Sequence, residues 1–213
     1  MTTKNATRIT ASALGVYAGL LGAVHGYFEM RQGSVAPAGL MISAIGPPCQ
    51  PEAATHACFP ALTLIPNFLI TGIVALVIGL VAAIWAGAFV QRKRGGVTLM
   101  LLALLMLLVG GGFIPMFIGL MAGFAGTQIN KSSPPQRARQ FVNVGRFLAR
   151  LWPWMLIAYF VWVFPAQWLL GHFFSAFLLD LSFLLFFCLD LGLPLLAVFA
   201  GLAYDKWIGG ASQ

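Results

Sequence analysis

The sequence predicts an all-α integral membrane protein, a multi-pass helical bundle of about five to six transmembrane helices. Three observations lead there. Of 213 residues, 60% are hydrophobic and 8% are charged, with a mean hydropathy of +0.92, whereas a soluble domain carries about 25% charged residues. Several apolar runs reach the roughly 20 residues that a crossing helix needs. These runs are continuous and lack the strict alternation of a β-barrel strand. The net charge of +7, from 12 Lys and Arg against 5 acids, sits between the runs. It therefore points to orientation in the bilayer and contact with anionic lipid headgroups, not to nucleic acid.

The chain reads as a single transmembrane domain over 1–213. The first span is Ile9–Phe28. It is longer than a signal-peptide core and is expected to stay as an anchor. Ala11, Gly15, Gly19, Gly22 and Gly26 recur along it at helical spacing, a small-residue face that lets a second helix come close. An outer loop follows over Arg31–Pro60, with Pro37, Pro47, Pro48, Pro51 and Pro60 opposing a long helix. Ala38–Ile45 within it suits the membrane surface. The second span is Leu62–Val90, where Thr71, Ala75, Gly79, Ala83 and Gly87 make a second small-residue stripe. Gln91-Arg92-Lys93-Arg94 then marks a cytoplasmic boundary.

Val97–Ile129 is apolar throughout but broken by Gly110-Gly111-Gly112-Phe113-Ile114-Pro115. As one helix it would run about 50 Å, too long for one upright crossing of a core roughly 30 Å thick and too short for two full ones. It is expected to be a broken or re-entrant hairpin with arms 97–109 and 116–129. The charge count favours this. A single crossing with the N-terminus inside leaves five Lys and Arg inside and seven outside, whereas a hairpin leaves only Arg31 outside, which is the bias that orients membrane proteins. The N-terminus is then cytoplasmic and the membrane the plasma membrane.

The basic loop 130–150 follows. Arg139, Asn143, Arg146 and Arg150 share one helical face and Phe141, Val144, Leu148 and Leu151 the other, as in a short helix lying in the headgroup plane. Arg137, Arg139, Arg146 and Arg150 are its expected lipid-headgroup contacts. A further span covers Leu151–Leu170, with Trp152, Trp154 and Trp168 as interface anchors, and Gly171-His172 reads as a tight turn. The last run, Phe173–Tyr204, is one bent helix or two spans, with a kink expected at Gly192-Leu193-Pro194.

Few residues carry chemistry. Asp180 lies eight residues into an apolar run, where a charge costs at least about 2.5 kcal/mol, so it is a functional-site candidate as proton relay or cation ligand. The alternative is a carboxyl that only bonds a neighbouring helix. Asp190 precedes Gly192 and Pro194 and suits either ion binding or a helix cap. Gly111, Gly112, Phe113 and Pro115 supply the irregular backbone that channels and transporters use at such sites. His25 and Glu29, four apart on one helix face, form with His56 a possible metal set of no recognised signature, and at the interface both are readily solvated. Cys49 and Cys58, in the outer loop, suit a structural disulfide. Cys188 reads as a small apolar filler.

No phosphate-binding Gly loop, His-Glu-x-x-His or serine elbow is present, and nothing calls for a cofactor. Two function classes follow. One is binding or translocation of a small solute or ion. The other is a structural or accessory subunit whose glycine stripes bind partner transmembrane helices or a second copy of the chain. A metal-dependent membrane enzyme is a third and weaker reading.

Overall fold

Helix α1 (Asn5–Met30) is the hub of the computed structural model, which describes residues 5–43, 60–131, 142–174 and 186–207. Against it pack α2 (Phe68–Ala88), α3 (Gly95–Leu108), α4 (Phe113–Gln128) and the C-terminal helix α7 (Leu193–Trp207). Helix α5 (Val142–Val161) packs on α7 and runs on through a π-helical turn, Trp162–Ala166, into α6 (Gln167–Phe173). A second π-helical stretch, Phe186–Gly192, leads into α7.

The all-α class agrees with the sequence reading. Four helices are long and apolar enough to cross a membrane: Asn5–Met30, Phe68–Ala88, Asn143–Leu170 and Cys188–Trp207. Helices α3 and α4, of 14 and 16 residues, are apolar but shorter, roughly 21 and 24 Å.

Small residues explain why α1 and α2 lie so close. The two helices run antiparallel with reciprocal glycines. A Cβ built on Gly19 would come 2.6 Å from the Gly79 carbonyl oxygen, and one on Gly79 would come 2.6 Å from that of Gly19. Gly26 and Gly72 repeat the arrangement at 2.6 Å each way. Both small-residue stripes are thus used inside the chain, one against the other. The α3–α4 hairpin is built likewise, with Gly119 against Ala103 at 2.7 Å and Gly123 against the Gly96 carbonyl at 2.7 Å. In lipid such packing, and not a hydrophobic driving force, holds helices together.

At the other end of the bundle, α5 and α7 are tied to the start of α1. Asp205 accepts from the backbone N–H groups of Ala6 and Thr7 at 3.0 and 2.8 Å. A carboxylate there satisfies first-turn donors and complements the positive end of the helix dipole. Trp152 donates its indole N–H to Thr10 Oγ1 at 2.8 Å, so this tryptophan anchors helix to helix.

Several expectations are corrected. A two-stranded antiparallel ladder, Met41–Ser43 with Pro60–Leu62, stands where a loop and the start of span two were expected. It takes up the start of the expected span, so α2 begins only at Phe68, capped by Asn67 accepting from Ile70 N–H at 3.1 Å. Among the described residues, no separate surface helix precedes the third long span. Asn143–Leu170 is one continuous helix, with Val144 and Phe147 exposed. Gly171 and His172 lie inside α6 and make no turn. At Gly192-Leu193-Pro194, where a kink was expected, the helix changes from π to α. Cys188 is exposed and fills no core. The expected disulfide pair Cys49 and Cys58 lies outside the described residues, as do His56, Arg137, Arg139 and Asp180.

Both π stretches have the same cause. A proline ring clashes with the carbonyl four residues earlier and supplies no N–H. Pro165 lies within the first stretch and Pro194 is the second residue past the end of the other, so the widened turn relieves the clash.

Candidate functional site

Two features that the sequence keeps apart meet at the non-helical link between α3 and α4. Gly110 and Gly112 have φ of +92° and +87°, a region that favours glycine. Gly110 N–H donates to the Leu62 carbonyl at 2.8 Å and Leu64 N–H to the Leu108 carbonyl at 3.0 Å, which ties the turn to the strand ladder. Thr71 Oγ1, on α2, donates to the Val109 carbonyl at 2.8 Å and lies 2.6 Å from Thr63 Oγ1. The missing side chains leave room for α1. A Cβ on Gly110 would overlap the Glu29 carboxyl, and one on Gly112 would lie 2.5 Å from the His25 ring.

His25 and Glu29 are therefore not solvated at an interface, as expected, but 5% and 0% exposed. They are packed under the glycine turn, and neither Glu29 carboxyl oxygen accepts a hydrogen bond among the described residues. Among those residues no group of three His, Cys, Asp or Glu gathers to hold a metal.

From His25 the structure opens into a cavity of about 650 Å³ between α1, α4, α5 and the second π stretch. Its walls are mainly apolar and aromatic, with Leu20, Phe113, Phe117 and Phe164 among them. Its polar groups are Tyr17, His25, Tyr159, Gln167 and Asp190. This is the size and lining of a small-molecule site, apolar with a few convergent polar groups.

Asp190 is the polar centre. It is 4% exposed and lies in the π stretch, not at a helix cap. Trp162 Nε1 and Gln167 Nε2 both donate to its Oδ1, at 2.8 and 2.6 Å. Trp162 opens the Trp162–Ala166 π turn and Gln167 directly follows it, so the two π stretches meet at this contact. Asp190 Oδ2 is buried and accepts no hydrogen bond among the described residues, and the Tyr159 hydroxyl, on a side chain 0% exposed, also makes none there. Tyr17 meets Tyr159 edge-on at 5.8 Å and 86°, and Phe164 at 5.6 Å and 75°, which fixes the aromatic wall.

The expected site residues thus divide. Phe113 and Asp190 line the cavity together with His25. Gly111 and Gly112 form the turn beside it, and Pro115 is buried in the first turn of α4. Arg146 and Arg150 are exposed on α5. Asp180 and His56 lie outside the described residues, and the site described here is built without them. Tyr17, Tyr159, Trp162 and Gln167 were not legible as site residues. The available signals were Pro165 and Gln167 inside an otherwise apolar span.

These features define an all-α protein with four helices of membrane-crossing length and apolarity, and with an acid-bearing aromatic cavity. Comparison with protein-family models, with curated proteins and with solved structures finds no match to this chain.

Proposed function

We propose that this protein is a multi-pass plasma-membrane protein that binds a small solute in the cavity beneath the glycine turn and passes it between the two sides of the bilayer. The observation that carries the reading is the cavity of about 650 Å³ with a buried acid whose second oxygen accepts no hydrogen bond among the described residues. An ionisable side chain buried in a membrane span is costly to insert and is by default a functional-site candidate, and buried polar atoms without partners call for an explanation.

The arrangement of charge supports a defined orientation. Antiparallel packing collects every described Lys and Arg except Arg31 at the bundle end that holds the start of α1: Arg8, Arg92, Lys93, Arg94, Lys131, Arg146, Arg150 and Lys206. By the positive-inside bias this end is cytoplasmic, and the strand ladder and glycine turn face outward. Helices α3 and α4 then form a hairpin of two short crossings. Arg146 and Arg150 serve as headgroup contacts at the inner surface. The accessory-subunit reading draws on the same small residues, of which Gly19 and Gly26 of α1 and Gly72 and Gly79 of α2 are already packed against each other.

The test is water access. A single cysteine replaces Val163, which lines the cavity, and in a second protein Ile84, which is exposed on the apolar surface of α2, both in a cysteine-free background. A charged methanethiosulfonate reagent is expected to modify Val163→Cys much faster than Ile84→Cys in membranes. Equal protection of both positions overturns the reading.

A further inference from the structure

The cavity's polar groups are unequally provided with charge. Among the described residues Asp190 lines it, while no Lys or Arg side chain does. Asp190 Oδ1 is already used twice, by Trp162 and Gln167, whereas Oδ2 is buried and accepts nothing among the described residues. The carboxyl is therefore positioned by two donors on one oxygen and offers the other. Beside it stand aromatic rings from three elements: Tyr17 of α1, Phe113 and Phe117 of α4, and Tyr159 with Phe164 of the α5 helix and its π turn. Ring faces attract cations, more so where water is excluded. A charge-assisted hydrogen bond from N⁺–H to a carboxylate is roughly twice as strong as a neutral one. Among the described residues, His25 is the one other ionisable group besides the tyrosines that lines it.

From this combination we infer that the solute is an organic ammonium ion with an apolar body, its N–H donated to Asp190 Oδ2 and its alkyl or aryl portion against Phe113, Phe117 and Phe164. The inference rests on the solute-binding reading above and adds the chemical class of the solute. The ammonium supplies the donor that Oδ2 lacks, and the ring faces take the place of the water that a cation loses on entering.

The experiment is a charge series at constant shape. Phenylbutylamine, phenylbutanol and phenylbutyrate are titrated calorimetrically at neutral pH into the purified full-length protein in zwitterionic-lipid nanodiscs, with empty discs subtracted. The amine is expected to bind about tenfold or more tighter than the alcohol, and the butyrate more weakly than either. Asp190→Asn keeps an acceptor for Trp162 and Gln167 but replaces the free oxygen by a donor, so it should bring the amine to within about threefold of the alcohol. If Asp190→Asn does not fold, the series on the unaltered protein decides alone. Equal binding of amine and alcohol, tighter binding of the butyrate, or an amine preference that survives in Asp190→Asn each overturns the ammonium assignment while leaving a solute cavity in place. Absence of binding by all three overturns both the assignment and the cavity's function.

Discussion

Replacing Gly110 by alanine tests how the glycine turn and α1 are joined. Two costs are expected. The residue has φ of +92°, a left-handed conformation that costs a residue with a Cβ about 1–2 kcal/mol. The new methyl would also overlap the Glu29 carboxyl. Glu29 is fully buried and has no room to retreat, and overpacking of this kind costs about 1–3 kcal/mol. The sum, about 2–5 kcal/mol, is a large share of the roughly 5–15 kcal/mol by which native proteins exceed their unfolded states. The two parts separate in a double-mutant cycle. Removing Glu29 in a Gly110→Ala/Glu29→Ala protein relieves the overlap but not the backbone strain, so about 1–3 kcal/mol should return. Glu29→Ala alone leaves no described group unpaired, since its carboxyl makes no hydrogen bond among the described residues, and its own cost is that of the cavity left by a fully buried side chain, which the cycle subtracts. The assay is equilibrium unfolding in mixed micelles with increasing dodecyl sulfate, followed by tryptophan fluorescence. The reasoning is refuted if Gly110→Ala lies within about 0.5 kcal/mol of the original protein, or if Glu29→Ala fails to restore any stability to it.

Other outcomes follow from the same geometry. Gly79→Val drives a branched side chain into the α1 backbone, where even a Cβ would come 2.5 Å from the Ala23 nitrogen; it should separate α1 from α2 and abolish a monodisperse peak in size-exclusion chromatography, whereas Gly39→Val, which meets nothing within 4 Å, should not. Asp190→Ala strands the indole N–H of Trp162 and the amide of Gln167 and should cost about 1–3 kcal/mol per stranded donor in the same unfolding assay, with Asp190→Asn costing clearly less. Trp152→Phe removes the bond to Thr10 Oγ1 and should lower stability by about 1 kcal/mol, a loss that should disappear when Thr10 is already valine. Sidedness is read by labelling single cysteines with an impermeant maleimide. Ser34→Cys should react in intact cells and Gln91→Cys only after permeabilisation, and the reverse pattern would invert the proposed orientation.

What the sequence disclosed depended on the range of the signal. Patterns repeating every four residues survive as structure, because each small residue marks a helix face whatever the partner. Thus Gly19, Gly26 and Gly79 could be read as packing positions, although not as packing on each other. The break at Gly110–Pro115 was equally visible, since no other residues tolerate those backbone angles so readily. The link between His25, Glu29 and that turn was hidden, because 81 positions separate Glu29 from Gly110 and nothing local in either stretch refers to the other. The hydrogen bonds of Asp190 to Trp162 and Gln167 were hidden for the same reason. Tryptophans in apolar runs are ordinarily interface anchors, which is how Trp152 was read until its bond to Thr10 placed it between helices. The ladder of Met41–Ser43 with Pro60–Leu62 is three residues long, too short for alternation to show. The π stretches arise from Pro165 and Pro194, and a proline in a helical run announces a disturbance without stating which kind.

The most direct test of a solute-holding cavity is native mass spectrometry of the protein ejected from its own membrane in mild detergent, compared with Val163→Trp, in which an indole occupies the cavity beside Asp190. The account predicts that the unaltered protein retains a non-lipid small molecule at one per chain and that Val163→Trp, equally folded, has lost it. Retention of the same molecule by both proteins would contradict the account, because whatever is bound would then lie somewhere other than this cavity.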